Sequence, residues 1–156
     1  MTLYVVRHAA AGDRFRWSGD DFERPLDDRG VLQAEALAAH LADAGISRLL
    51  SSQATRCVQT LTPLGERLGI DVELCPAFTE GSDVELAAAT LRRYADMTVA
   101  ACSHGDIIPE LIRALMMDGM RVVGARGCEK GSIWKLDVNG GDIVQGQYLG
   151  VPTAVV

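Results

Sequence analysis

The chain has 156 residues, a net charge of −6 and a pI of about 5.0. Apolar residues make up 48% and charged residues 23%, which predicts a single packed domain over residues 1–156. The acidic balance disfavours non-specific binding to nucleic acid or to an anionic membrane. No apolar stretch approaches the ~20 residues of a membrane-spanning helix. Neither nucleic acid nor a membrane is therefore expected as a partner.

Four widely spaced cysteines form no Cys-x-x-Cys pair: Cys57, Cys75, Cys102 and Cys128. Two of them, at 75 and 102, lie within or beside apolar runs, where buried thiols are common. The chain begins directly with a strand-like run, so no signal peptide is expected. These observations predict a reduced, cytoplasmic protein.

Strand-like and helix-like patterns alternate along the chain. The predicted strands are 3–7, 49–50, 72–75, 98–102, 133–138 and 143–149. The predicted helices are 31–41, the segment after Ser52 up to Leu68 (with Ser52 as its N-cap), 84–95 and 107–117. Alternating β and α units favour a three-layer α/β/α sandwich with a mostly parallel sheet. The turn residues 139–142 add an antiparallel hairpin, which we place at one edge.

Two of the predicted strands end in a histidine motif. Arg7-His8 follows residues 3–6, and Ser103-His104-Gly105 follows residues 98–102. Ligands bind at the carboxyl ends of strands in open α/β sheets. His8 is the candidate nucleophile, because neutral imidazole attacks phosphorus and nearby cations lower a histidine's pKa. The alternative for each histidine is a structural role at a strand end.

Further groups suited to a phosphoryl ligand surround these histidines. Arg56 lies near the start of a predicted helix, where a guanidinium and the helix N-terminus both attract anions. Backbone N–H groups at His104-Gly105, before the next helix, can contact phosphate. Glu80 and Asp106 are both candidates for the general acid, and their spacing does not choose between them.

These residues resemble a known family signature. Arg7-His8-Ala9, Arg56-Cys57-Val58-Gln59-Thr60 and Ser103-His104-Gly105 look like that of the histidine phosphatase, or phosphoglycerate mutase-like, superfamily. The resemblance covers nearly the whole chain and implies a three-layer α/β/α fold. It implies His8 as the phosphorylated nucleophile, Arg7, Arg56 and His104 as the phosphate pocket, and Glu80 as the acid. Neither a metal nor another cofactor is expected.

The sequence departs from parts of that family. Ala9 replaces the usual glycine, and residues 10–13 lack the Glu and Asn common in mutases, which disfavours a mutase. Gly105 stands where the acid phosphatase branch often has Asp. The short chain suits the compact bacterial branch, which includes phosphohistidine phosphatases.

A closer similarity is to the C-terminal phosphatase domain of certain two-domain Nudix hydrolases, although this chain has no Nudix box. It implies nucleoside polyphosphates among the substrates. The segments that carry it are Arg14-Phe15-Arg16-Trp17-Ser18-Gly19-Asp20-Asp21, Arg24-Pro25-Leu26-Asp27, Arg29-Gly30, Thr79-Glu80, Ile108-Pro109-Glu110-Leu111-Ile112 and Lys130-Gly131-Ser132.

The segment 11–29 is long for a loop, and long loops are often functional. Arg14 and Arg16 are predicted to bind further phosphates, and Trp17 to stack on a base. The alternative is a solvated loop with Trp17 packed against the body. Lys130 is a further phosphate candidate or a simple turn lysine.

The favoured hypothesis is a metal-independent phosphatase that acts on small phosphate monoesters or nucleoside polyphosphates through phospho-His8. A protein phosphohistidine phosphatase is the second hypothesis, and it requires an open, shallow pocket. A non-catalytic phosphate-binding module is the third, and it has no need of a nucleophile. A Rossmann dinucleotide site is excluded, because no Gly-x-Gly-x-x-Gly follows the first strand.

Overall fold

The computed structural model describes residues 1–153, so the last three residues of the predicted domain 1–156 lie outside the described residues. The described strands are β1 Thr2–Arg7, β2 Arg48–Ser51, β3 Val72–Leu74, β4 Val99–Ser103, β5 Arg121–Val123, β6 Ile133–Asn139 and β7 Asp142–Gly150. The helices are α1 Asp28–Leu41, α2 Thr55–Leu68, α3 Val84–Arg93 and α4 Ile108–Met117. No helix within residues 1–153 is both long and apolar enough to cross a membrane.

All seven strands belong to one sheet in the order β3-β2-β4-β1-β6-β7-β5. Neighbours pair in parallel except at β1–β6 and β6–β7, which are antiparallel. The mostly parallel sheet is therefore confirmed. Because β2, β4 and β1 are adjacent and parallel, their carboxyl ends meet at one edge of the sheet.

Helices cover both faces of the sheet. Along β1, Leu3 and Val5 pack in a cluster with residues of α3 and α4, whereas Tyr4 and Val6 pack with residues of α1 and α2. Strand side chains alternate between faces, so a continuous apolar run such as 3–6 is what a strand buried on both sides requires. The predicted three-layer α/β/α sandwich is confirmed.

The late hairpin forms as predicted, with β6 and β7 antiparallel and Asn139 paired with Asp142 across the turn. Outside it lies β5, which pairs in parallel with β7 and which the sequence analysis did not predict. The hairpin is thus one strand in from the edge. Strand β5 has only three residues, and their side chains are mostly exposed. Such a short run cannot show the alternation of apolar and polar residues that predicts a strand.

The N-cap prediction for α2 is wrong. The helix begins at Thr55, and its N-cap residue is Ala54, which makes no side-chain capping bond. The Ser52 hydroxyl lies instead 2.8 Å from Nε2 of His104. Its place in the fold is therefore at the end of β2, beside a histidine of the predicted site.

The start of α1 lies against the chain that leaves β1. A Cβ built on Gly30 would lie 1.8 Å from the carbonyl oxygen of Ala10. That oxygen also accepts from the Asp27 N–H at 3.1 Å. A glycine is required at position 30 because the two backbone segments approach so closely.

We predict that Gly30→Ala lowers the free energy of unfolding by about 1–3 kcal/mol, because the added methyl group forces the two segments apart. Urea unfolding of both proteins measures the difference. Gly12→Ala is the matched control, since a Cβ at Gly12 meets nothing within 4 Å. Equal effects at the two glycines would contradict the close-packing argument.

Candidate active site

A cleft of about 600 Å³ opens where β1, β4 and their neighbouring loops meet. Eight of the ten predicted site residues line it: Arg7, His8, Arg14, Arg56, Glu80, His104, Gly105 and Asp106. Arg16 and Trp17 do not. The remaining lining residues are Ala11, Gly12, Asp13, Phe15, Arg24 and Lys130.

Backbone hydrogen bonds fix the end of β1. The N–H of His8 donates to the carbonyl oxygen of Ser103 at 3.1 Å, which joins the ends of β1 and β4. Arg7, the last residue of β1, donates from Nη1 to the carbonyl oxygen of Cys128 at 2.7 Å. A Cβ on Gly105 would lie 2.8 Å from the Arg7 guanidinium carbon, so the glycine leaves room for that group.

His8 is held as a buried, neutral imidazole. Its Nδ1 donates to the carbonyl oxygen of Ala9 at 2.8 Å, because a carbonyl can only accept. The other nitrogen, Nε2, therefore carries the free lone pair. Burial lowers the pKa of His8 to about 3; the bond to Ala9 opposes the shift, while the positive charges of Arg56, His104 and Arg7 add to it.

His104 faces His8 from the end of β4, with ring centroids 5.5 Å apart in an edge-on arrangement. Its Nε2 is 2.8 Å from the hydroxyl oxygen of Ser52 and 3.5 Å from the sulfur of Cys57. These contacts from β2 and α2 orient the ring. The chain places Ser52, His104 and His8 directly after the three adjacent strands β2, β4 and β1.

Arg56 is the second residue of α2 and is only 1% exposed. Its Nη1 donates to the backbone oxygen of Asp21 at 2.8 Å, and its Nη2 lies 3.1 Å from Glu80 Oε2 and 3.3 Å from Asp21 Oδ2. A buried cation is costly unless it is paired, so the two carboxylates offset the burial of this guanidinium.

Four buried side-chain polar atoms within residues 1–153 have no hydrogen-bond partner: Nε of Arg7, Nε of Arg56, Nδ1 of His104 and Oγ1 of Thr79. The first three belong to the residues that surround His8. Unsatisfied buried donors are costly, and a bound anion supplies the acceptors that these nitrogens lack. The arrangement fits a phosphoryl group with its oxygens toward the two arginines and His104.

Both predicted acids lie at the cleft. Glu80 forms ion pairs with Arg56 and, at 3.5 Å, with Arg14. Asp106 accepts at Oδ2 from the N–H of Gly81 at 2.8 Å. Asp106 thus anchors the turn that carries Glu80, while Glu80 itself contacts Arg56.

The loop between β1 and α1 folds against the cleft. Its residue Asp21, in a 3-10 helix Asp21–Glu23, contacts Arg56 and pairs with Nε of Arg24 at 3.0 Å. Partial burial acts to raise the pKa of Asp21, but the Arg24 hydrogen bond and the neighbouring positive charges outweigh it and lower that pKa. Arg24 also donates to the carbonyl oxygen of Gly12, so it ties the two arms of the loop together.

Arg16 and Trp17 lie on an adjoining groove of about 240 Å³. The Arg16 side chain is 89% exposed, and Trp17 Nε1 donates to the carbonyl oxygen of Asp20 at 2.9 Å. Their role toward a substrate stays a prediction. The sequence analysis missed Phe15, although that residue lies between two of the predicted ligands.

A buried, neutral histidine beside buried nitrogens that lack hydrogen-bond partners is an arrangement that can bind and accept a phosphoryl group. Residues 3–85 match the histidine phosphatase superfamily (branch 1). An 8-oxo-(d)GTP phosphatase from Mycolicibacterium smegmatis is 36% identical over 97% of this chain, which spans about half (48%) of that relative. The chain belongs to the histidine phosphatase superfamily.

Solved structures share the fold. The protein histidine phosphatase SixA, solved with tungstate, superposes with a TM-score of 0.77 at 24% identity over 97% of each chain. A mycobacterial glucosyl-3-phosphoglycerate phosphatase superposes with a TM-score of 0.71 at 16% identity, over 97% of this chain and 98% of its own. These two likenesses bear on the fold alone.

The lowered pKa of His8 predicts a pH dependence of stability. Between pH 6.5 and about 3, the unfolded chain binds a proton at His8 that the native protein does not, so stability falls as the pH falls. From pH 7 to pH 5 the wild type should lose about 2 kcal/mol more than His8→Asn. Urea unfolding at several pH values measures this, with His40→Asn, at an exposed histidine, as the control. Identical slopes for wild type and His8→Asn would contradict a buried neutral His8.

Proposed function

We propose that this phosphatase hydrolyses nucleoside polyphosphates or small phosphate monoesters through a covalent intermediate on His8. The observation that carries the proposal is the state of His8: a buried, neutral imidazole whose Nδ1 is bound to Ala9 and whose Nε2 is free. Arg7, Arg56 and His104, each with an unpaired buried nitrogen, are assigned to the transferred phosphoryl group.

In the first step, the Nε2 lone pair of His8 forms a bond to phosphorus. The bond between phosphorus and the leaving oxygen breaks, and its electron pair stays on that oxygen, which takes a proton from a carboxylic acid. Glu80 is our candidate for this acid, since it contacts Arg56 at the cleft. The guanidinium groups of Arg7 and Arg56 offset the negative charge on the equatorial oxygens.

In the second step, a water molecule attacks phosphorus and the bond between phosphorus and Nε2 breaks. The carboxylate formed in the first step takes one proton from the water, and inorganic phosphate leaves. His8 returns to its neutral form with Nδ1 still bound to Ala9. The same group thus serves as acid and then as base.

Three features support a nucleotide as the substrate. The 36% identical relative is named for a nucleotide. Arg14 and Lys130 add positive charge to the cleft beyond the arginines that surround His8. The loop that carries Asp21 contacts Arg56, and its residues 11–15 and 24 line the cleft. A cleft walled by a loop suits a small molecule better than a histidine on a folded protein.

Because all four cysteines are free thiols, we assign the activity to the cytoplasm.

His8→Ala should abolish hydrolysis of nucleoside diphosphates and of small phosphate esters. It should also remove the acid-labile, base-stable phosphate that the wild-type protein incorporates from a ³²P-labelled substrate. Both assays are run in excess chelator, where the wild type should keep its activity. Full activity of His8→Ala, or an activity that returns only with a divalent ion, would refute the covalent mechanism. A wild type that hydrolyses only a phosphohistidine peptide would replace the nucleotide by the protein substrate.

Glu80→Gln should slow the hydrolysis of an alkyl phosphate by about 10²–10⁴-fold, the usual contribution of a general acid. The effect on p-nitrophenyl phosphate should be much smaller, because its leaving group scarcely needs a proton. Steady-state kinetics on both substrates measure the contrast. Asp106→Asn is the matched comparison. If Asp106→Asn shows the larger difference between the two substrates, Asp106 rather than Glu80 is the general acid.

A further inference from the structure

An exposed aromatic side chain lies at the mouth of the cleft. Phe15 lines it, yet is 90% exposed. The other lining residues in the described part of the chain are charged, polar or small. This exposure leaves most of the Phe15 ring open to solvent, and Ala11 is the one other apolar side chain among the cleft-lining residues of the range 1–153.

The backbone around Phe15 is ordered by one aspartate. Asp13 accepts at Oδ1 from the N–H of Phe15 at 2.9 Å. The carbonyl oxygen of Asp13 accepts from the N–H groups of Arg16 and Trp17, each at 3.1 Å. The turn therefore has a defined shape, while the Phe15 side chain itself is left free.

The same turn is connected to the phosphate-binding groups. Arg14, the residue before Phe15, pairs with Glu80, and Glu80 pairs with Arg56. Phe15 is thus one residue removed from a chain of charges that leads to the buried guanidinium. Arg14, Phe15 and Lys130 line the same cleft as His8 and Arg56, so one extended ligand can contact all of them.

We infer that Phe15 is the platform on which the base of a nucleotide substrate stacks. The inference rests on the proposed function and adds to it the residue that recognises the base. A base has two π faces, and an exposed benzyl ring gains both stacking and apolar burial when one of them covers it. Mostly charged and polar residues line the rest of the cleft, and their side chains are suited to bind the phosphates and the sugar. Trp17, by contrast, lines the adjoining groove and has its Nε1 bound to Asp20.

The test compares a nucleoside diphosphate with inorganic pyrophosphate, which has the same anhydride and no base. In Phe15→Ala, the ratio of kcat/KM for the nucleotide to that for pyrophosphate should fall about 5- to 150-fold, the range for loss of one stacking contact. Phe15→Trp should restore the ratio. Phe22→Ala is the matched control, because Phe22 is a second exposed phenylalanine of the same loop that does not line the cleft.

An unchanged ratio in Phe15→Ala would overturn the inference, and so would an equal fall in Phe22→Ala. If the ratio falls in Trp17→Ala and is unchanged in Phe15→Ala, the base contact belongs to Trp17 instead. Calorimetric binding of the nucleoside diphosphate to His8→Ala, with and without Phe15→Ala, separates the two proposals. If the nucleotide binds only when Phe15 is present, and the wild type does not hydrolyse it, the proposed function is wrong and the inference stands. If the wild type hydrolyses the nucleotide and Phe15→Ala hydrolyses it equally well, the inference is wrong and the proposed function stands.

Discussion

The site depends on the burial of the Arg56 guanidinium at the start of α2. A cation almost fully removed from water needs opposite charge close by, and here Asp21 and Glu80 supply it from two separate loops. This one requirement draws the loop after β1 and the turn after β3 to the same point at the sheet edge. It leaves the Glu80 carboxylate at the cleft, 3.1 Å from the Arg56 guanidinium.

The positive charges that we assign to phosphate binding also act on the ionisation state of His8. Burial is the main cause that keeps His8 neutral, and the positive groups around it act in the same direction. On the proposed mechanism, phosphate binding and a neutral nucleophile therefore share the same charged groups. Removing one of these cations would raise the pKa of His8 and leave fewer groups to bind the phosphoryl group.

The sequence predicted what depends on local pattern. Continuous apolar runs located β1 and β4, and a histidine after each pointed to the sheet edge where the cleft lies, because parallel strands bring their carboxyl ends together. What it missed depends on three-dimensional contacts: β5, whose pairing with β7 shows no local pattern, and the contact of Asp21 with Arg56 across 35 residues. For the same reason, only the fold could distinguish the position of Phe15 from that of Trp17.

Main-chain oxygens hold the three central groups: that of Ala9 binds His8, that of Cys128 binds Arg7, and that of Asp21 binds Arg56. Such acceptors persist whatever side chain the position carries. Substitution at Ala9 or Cys128 can therefore leave the positions of His8 and Arg7 unchanged, whereas Arg56 also needs the carboxylates of Asp21 and Glu80. In a distant relative, the backbone path at the first two positions is a better guide to these contacts than residue identity.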